Sequence, residues 1–184
     1  MSVPPQPDVE RVLYTADQVD ARIREVAAEI SARYRDRDLK LISVLKGSVF
    51  FLTALTRYLE IPVRIDFLAI SSFSASRGAA AGMVRIAKDL DDPIQGEDVL
   101  VVEDIVDTGL TLRYLIQTLA GRGPNSLGIC TLLDRTSRRL VQVPVEFRCF
   151  EIGEHFIVGC GLDYKQYYRN LPYLAVVRRE QAGA

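Results

Sequence analysis

The chain has 184 residues, 48% of them hydrophobic and 26% charged, with a formal net charge of −1. That length supports a domain with a buried core, and the near-neutral balance lacks the basic field that nucleic acid or an anionic membrane would select. Neither nucleic acid nor a membrane is therefore expected as a partner.

The first residues, MSVPPQPDVERVLY, hold no apolar core of the kind a signal peptide needs, and no apolar run in the sequence is long enough to span a bilayer. Residues 1–8, with three prolines, read as a loose arm. Thr15 and Gln18 form a capping box, followed by Val19, Ile23, Val26, Ala27, Ile30 and Tyr34 at helical spacing. The charged run RYRDRD ends this helix. LKLISVL, Leu39 to Leu45, reads as a strand. KGS turns the chain into a packed helix, VFFLTALTRYL, which Pro62 closes. VRIDFLAI is a second strand.

SSFSASRGAAAG, residues 71–82, contains four Ser, four Ala, two Gly, one Phe and one Arg. Such a segment has little to pack and is expected to be a surface hairpin or a lid at a ligand site. Val99 to Val102 is a third strand, wholly apolar. Leu112, Leu115, Ile116 and Leu119 mark a helix stopped by Gly121, Gly123 and Pro124, and SLGICTLL, Ser126 to Leu133, is a fourth strand. From about residue 144 the tail holds short strand-like pieces, VEFRCF, HFIVG and YLAVV, read as a small accessory part.

Strands alternating with helices imply an α/β fold with a mainly parallel sheet flanked by helices. The continuous apolar character of the strands agrees, since such sheets are buried on both faces. Ligands in these folds sit beyond the carboxyl ends of the strands. The sequence puts unusual chemistry at such an end: Glu103, Asp104 and Asp107 follow the apolar strand, and Asp107-Thr-Gly-Leu-Thr opens the next helix. Successive amides, two hydroxyls and a helix N-terminus make an anion cradle suited to a terminal phosphate. Glu103 and Asp104 can accept hydrogen bonds from a ribose diol or share a hard cation. Together these describe a site for a ribose 5-phosphate.

The three cysteines, Cys130, Cys149 and Cys160, form no Cys-x-x-Cys pair and read as reduced thiols of a cytoplasmic protein. His155 is the only histidine, which argues against a histidine-based metal site.

VLVVEDIVDTGLTL resembles the signature of the phosphoribosyltransferases. Four further segments, LISVLKGSVFF, SSF…VRIAKDL, CTLLDRTSRR and FIVGCGLDYKQYYRNLPYLAVV, resemble the hypoxanthine-guanine phosphoribosyltransferases, over roughly residues 13–177. The resemblance implies the type I phosphoribosyltransferase fold in one domain, residues 1–184, with a flexible lid and a purine-binding hood from about residue 144. It implies purine salvage: transfer of a phosphoribosyl group from phosphoribosyl pyrophosphate to hypoxanthine or guanine, with Mg²⁺ as cofactor, by a homodimer or homotetramer.

By the same resemblance, Asp107, Thr108, Gly109, Leu110 and Thr111 hold the 5-phosphate. Glu103 and Asp104 hold the ribose hydroxyls and, with Asp163, a Mg²⁺. Asp107 is the acid–base residue at purine N7. Lys46, Gly47 and Arg169 bind pyrophosphate, with the bond before Lys46 in cis. Arg135, Phe156, Ile157 and Asp163 form the purine site, and Ser71, Ser72 and Phe73 belong to the lid. Arg135 stands where the family usually has lysine, Phe73 where it has tyrosine, and Cys160 where an aromatic is frequent. A preference for xanthine, or a nucleotide-sensing regulator on the same fold, stays open at this point.

Overall fold

The computed structural model describes residues 9–72 and 84–178. Nine strands and three α-helices are formed there. β1 (Val9–Tyr14) leads into α1 (Ala16–Arg33), then β2 (Leu39–Leu45), α2 (Ser48–Thr56) and β3 (Val63–Ser72). β4 (Val84–Lys88), β5 (Asp98–Val106), α3 (Leu110–Ala120) and β6 (Ser126–Asp134) follow. A 3₁₀ turn (Thr136–Arg138), β7 (Phe147–Glu151), β8 (Ile157–Val158) and β9 (Leu174–Val177) complete the chain.

The main sheet has the order β4-β3-β2-β5-β6-β7. All its pairings are parallel except β3 with β4, which is antiparallel. The expected mainly parallel α/β sheet is therefore present. Each apolar strand feeds two cores. Leu41, Leu100, Val102, Cys130 and Leu132 pack with α1 and α2 on one face. Ile42, Val99, Val101 and Ile129 pack with Leu112, Leu115 and Leu119 of α3 on the other. Alternation puts successive side chains on opposite faces, so a strand covered on both sides must be apolar throughout.

Local rules account for the helix starts. The Thr15 hydroxyl accepts from the Gln18 amide, and the Gln18 side chain accepts from the Thr15 amide at 2.9 Å, the expected capping box. At α2, the buried hydroxyls of Ser43 and Ser48 lie 2.7 Å apart, and Ser48 also donates to the Val44 carbonyl. Lys40, inside an otherwise apolar strand, is buried and meets Glu97 at 3.0 Å.

Three expectations are corrected. The third strand does not end at Val102: β5 runs on to Val106, so Glu103 and Asp104 lie within its last turns of pleat, with Glu103 in register with Thr131 of β6. VEFRCF is not part of the accessory region, because Phe147–Glu151 pairs in parallel with β6 as the sixth strand of the main sheet. Val84–Lys88, grouped with the lid by resemblance, forms β4 against β3. The accessory sheet is instead β1-β9-β8, and its first strand comes from the N-terminal side of the chain. The loose arm at residues 1–8 and most of the lid, including Phe73, lie outside the described residues.

Candidate active site

The carboxyl ends of β2 and β5 open into one cavity of about 380 Å³. Its lining brings together Lys46, Gly47, Glu103, Asp104, Asp107, Thr108, Gly109, Thr111 and Arg169. These residues come from three separated parts of the sequence. The parallel register of β2 and β5 sets their ends side by side.

The turn after β5 is a tight strand-to-helix turn whose geometry is compatible with an anion. Gly109 has φ +82° and precedes the first residue of α3. A Cβ there would lie 2.9 Å from the Arg139 side chain, the Val141 carbonyl and the Val143 side chain, so both conformation and space require glycine. The first turn of α3 carries no acidic residue that would compete with an anion for the amides. Thr108 accepts weakly from the Leu110 amide at 3.4 Å, and Thr111 lines the cavity.

Lys46 is exposed at the opposite rim, after a cis Leu45–Lys46 peptide bond. Gly47 is packed so closely that an added Cβ would collide with Oδ2 of Asp104. Absence of a side chain at position 47 is thus what lets the two loops meet. Arg169 donates to the Gly161 carbonyl at 2.7 Å and pairs with Asp163 at 2.7 Å. The other Asp163 oxygen accepts from the Gln166 amide at 2.8 Å. Asp163 therefore orients Arg169. Among the described residues no three carboxylates, histidines or cysteines are grouped as a metal cage.

Burial, with a smaller push from Asp104, raises the Glu103 carboxyl well above 4.5. Burial likewise raises Asp104, against the opposing pull of its bond from the Ile105 amide and of Arg169. Two adjacent desolvated carboxyl groups form a site short of positive charge. Hydroxyl donors or a hard divalent cation would relieve it.

Asp107 lines this cavity and pairs with two arginines that line a second one. Its Oδ2 accepts from Arg135 at 3.1 Å and lies 3.4 Å from Arg138. Its Oδ1 is buried with no partner. Arg135 and Arg138, with His155 and Phe156, line a neighbouring cavity of about 530 Å³. Phe156 is half-buried and meets Tyr164 edge to face, centroids 5.7 Å apart. Ile157 starts β8, its side chain buried, in register with Val176 of β9. Cys160 is half-buried at φ +49°, its amide bonded to the Leu171 carbonyl. The Asp107–Arg135 ion pair links a residue lining the first cavity to one lining the second.

Sequence reasoning missed Arg138 and Arg139. Arg139 donates through Nε to the Asp107 carbonyl at 3.1 Å and pairs with Asp134. Three arginines from RTSRR thus converge on one aspartate. The signal was the cationic cluster opposite an acidic one, which only the β5–β6 pairing brings together.

Residues 13–165 match the model of the phosphoribosyl transferase domain. The hypoxanthine-guanine phosphoribosyltransferase of Mycobacterium avium is 47% identical over 176 residues, covering 92% of this chain and 86% of the relative. The hypoxanthine phosphoribosyltransferase of Salmonella typhimurium is 45% identical, covering 90% and 94%. A crystal structure of a hypoxanthine phosphoribosyltransferase from Staphylococcus aureus superposes with a TM-score of 0.89 at 36% identity, covering 96% of each chain. A fold, a cradle and a match that agree over this much of the sequence make the chain a member of the phosphoribosyl transferase domain family.

Proposed function

We propose that the chain is a purine-salvage enzyme that transfers the 5-phosphoribosyl group of phosphoribosyl pyrophosphate to hypoxanthine or guanine, giving IMP or GMP and pyrophosphate. The observation that carries this reading is the junction of two cavities at Asp107. One holds an anion cradle, two carboxyl groups and two cations; the other holds an aromatic ring and guanidinium donors.

In this reading the amides of residues 108–111 hold the 5-phosphate, and Glu103 and Asp104 accept from the ribose hydroxyls. Lys46 and Arg169 face the pyrophosphate, for which a forked guanidinium is well shaped. The bond from the anomeric carbon to pyrophosphate oxygen breaks, its electron pair leaving with pyrophosphate, and purine N9 forms the new bond. The carbon is cation-like between these events, so positioning and nearby carboxylates supply most of the catalysis. Asp107, through the buried Oδ1, takes the proton that the purine loses at N7. Phe156 stacks on the base, Ile157 meets its edge, and Arg135 donates to the 6-oxo group.

The carboxyl oxygens of Glu103 and Asp104 suit Mg²⁺, which binds through one or two carboxylates and substrate phosphates rather than a full protein cage. When bound, Mg²⁺ supplies neutralisation of the departing pyrophosphate. Asp163 would join only by releasing Arg169.

No helix among the described residues is long and apolar enough to cross a membrane. The three free thiols support a cytoplasmic setting. The exposed Phe50 of α2, beside a shallow apolar depression with Val49 and Ala54, supports self-association as a dimer or tetramer.

The test is a spectrophotometric assay with phosphoribosyl pyrophosphate, Mg²⁺ and each of hypoxanthine, guanine, xanthine and adenine. Turnover with hypoxanthine or guanine is expected, and the panel ranks the bases around Arg135. Turnover with adenine alone, or with none in protein that still binds the donor, would overturn the reading.

A further inference from the structure

We propose that Arg138 is a positioning residue for Asp107, holding its carboxylate while Arg135 turns to the incoming base. The inference rests on the function proposed above. A static ion pair needs one guanidinium, yet Oδ2 of Asp107 is shared by two, Arg135 at 3.1 Å and Arg138 at 3.4 Å.

The two arginines are differently situated. The Arg135 side chain is only 8% exposed, whereas that of Arg138 is 45% exposed. Arg135 is stretched between Asp107 and the His155 carbonyl, which accepts from it at 2.6 Å, and its Nε is buried with no partner. Asp107 also keeps one buried oxygen without a partner. The contact therefore lies between the two cavities with its hydrogen-bonding capacity part used.

A 6-oxo group is an acceptor and competes for Arg135. When that guanidinium shifts toward it, Asp107 loses its nearest cation at the moment it must be held near N7. Arg138 is the second cation already on the same oxygen. Backbone bonds keep it in reach: the Arg135 amide donates to the Val106 carbonyl at 2.9 Å, and the Leu140 amide to the Thr108 carbonyl at 3.0 Å. The turn carrying Arg138 is thus tied on both sides of Asp107. As an exposed pair, Arg138–Asp107 adds little to stability, so its effect should be seen in the reaction.

The experiment measures steady-state kinetics and Tm for full-length Arg138→Ala, Arg138→Gln and Arg138→Lys beside the unsubstituted protein. Arg138→Ala is expected to lower kcat with hypoxanthine about ten- to hundredfold, keep KM for phosphoribosyl pyrophosphate within about twofold, and leave Tm unchanged. Arg138→Lys should recover much of kcat, because a cation is restored near the carboxylate. Unchanged kcat in Arg138→Ala overturns the inference. So does a loss matched by a raised donor KM or a lowered Tm and not rescued by lysine. If the alanine variant does not fold, Arg138→Gln is judged by the same criteria. An unsubstituted protein inactive with every base would instead remove the proposed function, and this inference with it.

Discussion

Asp107 and Glu103 show how two carboxyl groups close in sequence acquire different surroundings. Asp107 is compensated by two guanidinium groups and keeps one buried oxygen without a partner, the oxygen that takes the proton in the proposed reaction. Asparagine keeps its shape but neither accepts that proton nor balances the arginines. Asp107→Asn is expected to cut kcat by roughly a hundredfold or more with the fold retained and Tm lowered by the unbalanced Arg135; near-normal kcat would remove Asp107 from the acid–base role. Glu103 carries a desolvated charge instead, its carboxyl raised above 4.5 by burial and by Asp104. Below that value both folded and unfolded chains bind the proton, and the charge costs nothing. As pH rises the unfolded chain ionises first, so folding loses stability until the folded carboxyl also ionises. Glu103→Gln should therefore raise Tm in metal-free buffer at pH 8, with the gain vanishing near pH 4, while turnover falls. An equal Tm difference at both pH values would refute this account.

Elements form where a local signal and a tertiary partner agree. The capping box of α1 was written in the sequence as Thr15 and Gln18, and the helix then buries Val19, Ile23, Val26, Ala27 and Ile30. Thr15→Ala leaves the Gln18 amide without its acceptor. The expected loss is about 1 kcal/mol, a Tm decrease of roughly 2–4 °C for a chain of this size, and Thr15→Ser should restore it. A calorimetric scan decides; no change in Tm would mean that water replaces the cap without penalty. β7 and β4 had weaker signals. Phe147–Glu151 reads as a half-apolar fragment because it is an edge strand, covered mainly by α1, and only pairing with β6 gives it a sheet.

At the scale of the molecule, burial decides the chemistry of the thiols. It pushes Cys149 up to about 12, Cys160 up to about 11, and Cys130 well above 9.0. Because the thiolate is the reactive species, the folded protein should consume almost no disulfide reagent at pH 8 over minutes. All three thiols should react once denaturant is added. One equivalent titrating within seconds in the folded state would show a thiol far more acidic than its burial allows.

The sequence by itself determined the doubly covered sheet, because strands with apolar runs such as Val99–Val102 have no other way to be buried. It also determined the strand-to-helix turn after β5, because the glycine, hydroxyls and acids there are local chemistry. The length of β5, the place of β7 and the partners of Asp107 were decided only by the tertiary structure. Strand pairing rewards residues such as Glu103 and Asp104 that propensity alone would end a strand on. The contacts from Arg135, Arg138 and Arg139 to Asp107 span about thirty residues of sequence, and only the parallel pairing of β5 with β6 carries the two strand ends to the same place.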